Sequence, residues 1–301
     1  MRHSTLKHAE TVRNQPCVLR LSHAPIRLDP AFPVLLQDGH VQNDRPITYL
    51  HGHDCLELGY CRQGAGVFIV GDKILPFRAG DAMVIAGEMH LARSMPGTVF
   101  HAAWIYLDPA RLVRAMPEDH AVLATTRLRG RNFRNVISPR EHPEVLTLIT
   151  ELLAELAGAR PERRTAVRGL TLALLARLSR LAAPQQPAQP DAPADAVERV
   201  APALAHFAQH YAETLRIAEI AACCHTSVTH FRRLFLRATG RTPLAYLTEL
   251  RIRMAMGLLA GTRRPVLDLS LEVGFSTLSS FNRHFKRLTG NAPRVWRKRH
   301  A

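Results

Sequence analysis

The sequence has no stretch of 18 apolar residues, and its opening, MRHSTLKHAETVRNQP, lacks the apolar core of a secretory signal. These absences argue against a membrane span and against export, and they point to a cytoplasmic protein. Cysteines are few: Cys17, Cys55, Cys61, Cys223 and Cys224. Their odd number and the lack of any CxxC pair argue against a disulfide framework and fit a reducing compartment. Cys223 and Cys224 read as small buried side chains. Acidic residues are scarce in one region only. Residues 197–301 carry 6 Asp/Glu against 17 Lys/Arg, whereas residues 1–196 carry 19 against 23. A basic final third suits a phosphate-rich partner, although charge alone does not name one.

At 301 residues the chain has room for two domains. The clearest boundary is AAPQQPAQPDAPADA, residues 182–196, which has four prolines and no aliphatic side chain larger than alanine. Such a segment cannot build a core and reads as a stiff tether with a reach of roughly 45 Å. Residues 1–30 show no clear pattern and read as an arm. From 31 to 140, short runs such as FPVLLQ, GVFIVGDKILPF and GDAMVIA suit strands, punctuated by Asp38-Gly39, Gly71-Asp72 and Ala79-Gly80-Asp81. Closely spaced short strands predict an antiparallel barrel or sandwich. Between 141 and 181 the period changes. Val145, Leu148, Leu152 and Leu156, then Val167, Leu170, Leu174, Leu178 and Leu181, recur at helical steps, with a break at Gly158 and Pro161. This predicts a helical hairpin whose leucine stripes cover the strands or a second copy of the chain.

The basic unit, 197–301, says one thing twice. FRRLFLRATGRTPLAY from Phe231 and FNRHFKRLTGNAPRVW from Phe281 match at an offset of 50 residues: Phe231, Arg233, Phe235, Arg237, Thr239, Gly240 and Pro243 recur as Phe281, Arg283, Phe285, Arg287, Thr289, Gly290 and Pro293. Each copy reads as the second half of a helix-turn-helix. In the first, IAEIAACC is a short helix, HTS is the turn, and Ser227 caps a helix that buries Phe231, Leu234, Phe235 and Ala238. Thr229, Arg232 and Arg233 are left on the opposite face. The second copy exposes Ser279, Asn282 and Arg283 in the same way. PLAYLTELRIRMAMGLLAG joins the copies as one long helix. Arginine, asparagine and small hydroxyl residues on an exposed basic helix suit base edges and phosphates.

The phrases SVTHFRRLFLRATGRTPLAYLTELRIRMA and EVGFSTLSSFNRHFKRLTGNAPRVWR resemble the DNA-binding domain of AraC/XylS-type transcription regulators over residues 197–300. The resemblance implies two helix-turn-helix units that place recognition helices in successive major grooves. It carries base contact onto Thr229, Arg232 and Arg233, then onto Leu278, Ser279, Asn282 and Arg283. The sequence departs from the family pattern at His225, where glycine is usual, at Ser270, where alanine is usual, and at Leu278, where a polar residue is usual.

HGHDCLELGYCRQG, residues 51–64, has the spacing of the first cupin motif, and GDAMVIAGEMH resembles the second. His51, His53, Glu57 and His90 therefore become candidates for a site inside the strand domain. On strands, His51, His53 and Glu57 share parity, and with His90 they could supply three nitrogens and one oxygen to a metal. The second motif is degraded, with Ala86 for proline, Glu88 for glycine and His90 one residue early, so the expectation is a small-molecule pocket and no resident cofactor. Tyr60, Arg62, Trp104 and Tyr106 are candidate walls.

The whole reads as an α+β multidomain chain: a cupin-like antiparallel β-barrel with a helical hairpin, then an all-α domain with two helix-turn-helix units. The expected function is sequence-specific binding of double-stranded DNA, controlled by a small polar effector. The resemblance implies an activator that touches RNA polymerase, and the leucine stripes of the hairpin offer a surface on which a homodimer could form. The alternative is a metal-dependent cupin enzyme that carries a DNA-binding domain.

Overall fold

A computed structural model describes residues 19–113, 120–182 and 194–300. Ten strands lie in the first half, in two five-stranded sheets with orders β1-β3-β8-β5-β6 and β10-β7-β4-β9-β2. The first comprises β1 (Arg20–His23), β3 (Tyr49–Gly52), β8 (His90–Ser94), β5 (Ala65–Val70) and β6 (Lys73–Arg78). The second comprises β10 (Val136–Ile137), β7 (Ala82–Ala86), β4 (Leu56–Gln63), β9 (Val99–Leu107) and β2 (Val34–Asn43). Every pair is antiparallel except β1 with β3. That parallel strand falls inside the segment read from sequence as a patternless arm. Its burial is low along its whole length, so it carries no alternation to detect.

The sheets face each other across a shared interior built from Cys61, Phe68, Val70, Phe77, Met83, Ile85, Phe100, Ala102, Trp104 and Tyr106. The opposite parity on each sheet is buried too. Leu56, Leu58, Ala82, Val84, Ala103 and Ile105 turn outward onto a helical hairpin, α3 (Pro143–Ala157) and α4 (Arg163–Leu181). Two short helices, α1 (Pro109–Leu112) and α2 (His120–Leu123), precede that hairpin. Most of the leucine stripe is spent here: Leu152, Leu156, Leu174 and Leu178 are buried within the chain. Strands covered on both faces read as continuous apolar runs rather than alternating ones, which is why VFIV and AMVIA showed no period of two.

The outer face of the first sheet meets the second half of the molecule. Val67, Ile69, Ile74 and Leu91 share one apolar cluster with Val200, Leu204, Phe207 and Leu250. The helices of this half are α5 (Ala194–His210), α6 (Ile217–Cys223), α7 (Val228–Thr239), α8 (Pro243–Gly261), α9 (Val266–Glu272), α10 (Leu278–Thr289) and α11 (Pro293–His300). Helix α5 begins at Ala194, inside the segment read as tether; residues 183–193 lie outside the described residues. β5 lies against α5 and β6 against α8. Among the described residues, three hydrogen bonds cross this seam. The Ile47 amide donates to Gln209 Oε1 at 3.0 Å, the Tyr246 hydroxyl donates to the Asp72 carbonyl at 3.0 Å, and Arg131 Nη2 donates to the Ala238 carbonyl at 3.0 Å.

Both helix-turn-helix units form as expected, with different turns. In the first, His225 takes a left-handed backbone (φ 51°) and the Thr226 amide bonds the Ala221 carbonyl. In the second, Gly274 takes that role (φ 91°) and the Phe275 amide bonds the Ser270 carbonyl. Histidine at this position costs about 1–2 kcal/mol that glycine does not. Ser270 fits where alanine is usual because its hydroxyl donates to the Leu267 carbonyl at 2.7 Å while the residue stays buried. The cysteine pair departs from expectation: Cys224 is half-buried and free, and Cys223 is disulfide-bonded.

Candidate functional site

Two places gather chemistry. On the helical half, α7 starts at Ser227, whose hydroxyl accepts the His230 amide at 3.3 Å, and α10 starts at Thr277, which accepts the Ser280 amide at 3.2 Å. The apolar side of α7 buries Phe231, Leu234, Phe235 and Ala238; α10 buries Phe281 and Phe285. Thr229, Arg232, Arg233, Ser279, Asn282 and Arg283 are all exposed with the whole chain in place. The sheets therefore leave the candidate reading face free. Leu278 differs: it is half-buried and packs against the helical core, so it acts at least partly as a helix anchor. His230, which the sequence reading passed over, has one ring nitrogen 3.2 Å from Arg233 Nη2 and the other 3.3 Å from Arg199 Nη2. Its one-turn spacing from Arg233 was the available signal.

The second place lies between the sheets. His51 on β3 pairs in register with His90 on β8, so the two rings stand side by side with centroids 4.3 Å apart. His53, just past β3, brings its ring to 5.0 Å from that of His51. Glu57 comes from the other sheet, on β4, opposite Tyr106 on β9. One Glu57 oxygen lies 3.0 Å from His90 Nε2 and 3.7 Å from His53 Nε2. All four candidates thus meet. Tyr106 forms a wall, its ring edge-on to His53 at 5.4 Å. Trp104 lines the same interior and lies over Gly59 so closely that an added Cβ would sit 2.4 Å from its ring. Tyr60 and Arg62 do not line the pocket. Tyr60 packs toward the hairpin, and Arg62 pairs with Asp38 at the surface at 2.8 Å.

Burial governs the electrostatics. It pulls the His51 imidazole down to about 4, helped by His90 beside it. Burial alone would raise the Glu57 carboxyl, but His90 outweighs it and holds Glu57 below its ordinary value. The same pairing, working against burial, raises His90. Cys55, the thiol nearest in sequence, is pushed up to about 12 by burial and by Glu57, which leaves it a poor nucleophile at neutral pH.

Glu88, one of the departures from the cupin pattern, has a different task. Its carboxylate accepts the Gly130 amide at 3.1 Å and Asn135 Nδ2 at 3.2 Å. Lys73 donates to the Gly130 and Phe133 carbonyls and to Asn135 Oδ1. Next to it, Asp72 holds Arg131 Nε at 3.3 Å. This polar knot runs from the turn before His90 to the seam. A cleft of about 1190 Å³ opens there, lined by Lys73, Arg131, Arg241, Glu249 and Arg253; none of the three histidines borders it.

Two recognition-type helices on a basic unit, fused to a β-sheet domain with a buried polar cluster between its sheets, suit a DNA-binding regulator with a ligand-binding domain. Comparison with known proteins makes this specific. Residues 33–182 match the AraC-like ligand binding domain and residues 220–299 match a helix-turn-helix domain. The chain belongs to the AraC-type transcription regulators. It is 28% identical to the transcriptional activator RhaR of Cronobacter sakazakii over 93% of this chain and 96% of that protein. It is 32% identical to the regulator YobQ of Bacillus subtilis, in a match that spans only 31% of this chain and 39% of that protein. An AraC-type regulator from Chromobacterium violaceum is a solved structure it resembles. That likeness is 27% identical over 36% of this chain and 97% of the other, with a TM-score of 0.35. Among the described residues no helix is long and apolar enough to cross a membrane.

Proposed function

We propose that the protein is a one-component activator that reads two successive major grooves through α7 and α10 and is controlled by a small polar effector bound at His51, His53, Glu57 and His90. The observation that carries the first part is the pair of repeated helices whose Thr229, Arg232, Arg233, Ser279, Asn282 and Arg283 stay exposed while the sheets pack elsewhere. α8 joins the two units and fixes their separation. For the second part, the support is an enclosed set of ionisable groups that no other task in the fold absorbs. An effector that binds the docked and undocked arrangements of the two halves unequally shifts their balance. Activation through RNA polymerase rests on the family resemblance, and RhaR is by name an activator; pairing of two copies rests on the partly buried leucines of the hairpin, Leu148, Leu170 and Leu181.

Footprinting tests the DNA reading. Two protected segments about 10 base pairs apart are expected; protection without sequence preference would overturn it. Thermal stabilisation by sugars or small acids, lost in His51→Ala/His53→Ala, tests the pocket. The enzyme alternative draws on the histidine set alone, and among the described residues the nearby thiol, Cys55, is held protonated by burial and Glu57.

A further inference from the structure

We propose that Arg199 and His230 form a clamp for one DNA backbone phosphate at the edge of α7, and that His230 at the same time positions Arg233. This rests on reading α7 as a DNA-reading helix and adds how that helix is fastened and how its arginine is aimed. Three observations lead to it.

The three side chains stand in a row across two helices. His230 Nδ1 lies 3.2 Å from Arg233 Nη2, and His230 Nε2 lies 3.3 Å from Arg199 Nη2. Arg233 is one turn further along the same helix, a spacing that brings side chains together. Arg199 comes from α5, where its neighbour Val200 is buried in the core that holds Phe231. Phe207 on α5 meets Phe235 on α7 edge-on, with ring centroids 5.7 Å apart. Both backbones are fixed from behind, while Arg199 and Arg233 are exposed and His230 is half-buried.

The donors outnumber the acceptors. A guanidinium only donates, and an imidazole has at most one accepting nitrogen. Only one of the two contacts can therefore be a hydrogen bond. When Nδ1 accepts from Arg233, Nε2 carries the ring proton and points at Arg199, donor against donor. An anionic oxygen between them accepts from both, and charge-assisted bonds of this kind are the strong ones. Neither arginine is tied to a carboxylate among the described residues, in contrast to Arg241 and Arg253, which both hold Glu249.

The internal repeat singles out the first unit. His230 and Ser280 occupy the same place, and their amides donate to the caps Ser227 and Thr277 in the same way. The second copy thus keeps the helix start and lacks the imidazole. A phosphodiester is the anion that the edge of a groove-reading helix meets, and such contacts set register while base contacts set sequence. The clamp belongs to the first unit alone.

The experiment titrates full-length protein against a specific and a scrambled duplex over a series of salt concentrations, with thermal melts verifying that each variant is folded. Arg199→Ala should weaken binding to both duplexes alike, by roughly 5-fold near about 0.15 M salt, and lower the salt slope by about 1. Its sequence preference should match wild type. The two roles of His230 separate by geometry. Asparagine places its amide atoms where Nδ1 stands, so His230→Asn should keep the sequence preference and lose the same salt dependence as Arg199→Ala. Glutamine reaches the place of Nε2, so His230→Gln should keep the salt slope and lose preference at the base that Arg233 reads. An unchanged slope in Arg199→Ala, or identical behaviour of His230→Asn and His230→Gln, would overturn the proposal. If Arg233→Ala weakens specific binding while Arg199→Ala changes nothing, the clamp fails and reading through α7 stands. If Arg233→Ala also binds both duplexes like wild type, reading through α7 fails with it.

Discussion

Replacing Tyr246 with phenylalanine removes a single oxygen from the seam between the two halves. That oxygen's hydroxyl donates to the Asp72 carbonyl at 3.0 Å, and the side chain is only 6% exposed. The ring itself keeps its place, stacked with Phe207 at 6.0 Å and edge-on to Phe235 at 5.3 Å. Losing a neutral hydrogen bond costs about 0.5–1.5 kcal/mol, and about 1–3 kcal/mol if the carbonyl stays dry. A loss of about 1–2 kcal/mol in docking corresponds to roughly a 5- to 30-fold increase in the undocked population. Native-state hydrogen exchange reads this directly. Amides of β6 and the first half of α8 should exchange faster by that factor in Tyr246→Phe. Those of β2 and β9, on the far sheet, should not change. Equal rates in the seam would refute the claim that this bond helps hold the halves together. Uniform acceleration everywhere would mean that the substitution weakens the whole fold instead.

Other predictions follow from single residues. Arg233→Ala and Arg283→Ala should each weaken specific DNA binding by about 1–3 kcal/mol if they read bases; gel-shift titration against a specific and a scrambled site measures it. Burial raises the Asp81 carboxyl to about 6, so the fold favours its protonated form. Its contribution is complete below about pH 4 and is lost as pH rises through about 6, worth up to about 3 kcal/mol. Thermal melts of wild type and Asp81→Asn should therefore diverge between about pH 4 and pH 6.5, with the variant gaining, and run parallel above that; a constant difference across the window would contradict this. Gly274→Ala places a Cβ 2.6 Å from the Ala212 carbonyl oxygen on a backbone at φ 91°, and should cost about 2–4 kcal/mol by denaturant melt. Gly290→Ala, at φ 74° with nothing within 4 Å, should cost only about 1–2 kcal/mol.

The helical half was legible because its signals are local. Phe231 and Phe235, one turn apart, and Gly240 at φ 72° are a face and a stop that any window of twelve residues reveals. The strands were legible as elements but not as layers. Val67 and Phe68 are equally apolar, and only the fold decides that one faces the helices and the other the interior. For the site, nearness in sequence pointed to His51, His53 and Glu57, but strand parity does not join them: β3 ends at Gly52, Glu57 sits on β4 of the other sheet, and the register of β3 on β8 adds His90. The tasks of Tyr60 and Arg62 could not be read, because which sheet face is the pocket depends on the hairpin packed behind it. Likewise Asp72, Lys73 and Arg131 are ordinary charges in sequence; their knot exists only through contacts some 60 residues apart.

The three hydrogen bonds that cross the seam end on Gln209, Ala238 and Tyr246, in α5, α7 and α8. None ends on α9, α10 or α11 among the described residues. The molecule is therefore lopsided: α7 is leashed near its C-terminus, at the Ala238 carbonyl, to Arg131 of the sheet half, and α10 hangs from α8. On the proposed function, a signal passing through this seam would adjust the grip on one groove and leave the other constant. A promoter with a strong sequence under α10 and a weak one under α7 would then feel the effector most, so responsiveness would be encoded in the asymmetry of the DNA site as much as in the protein.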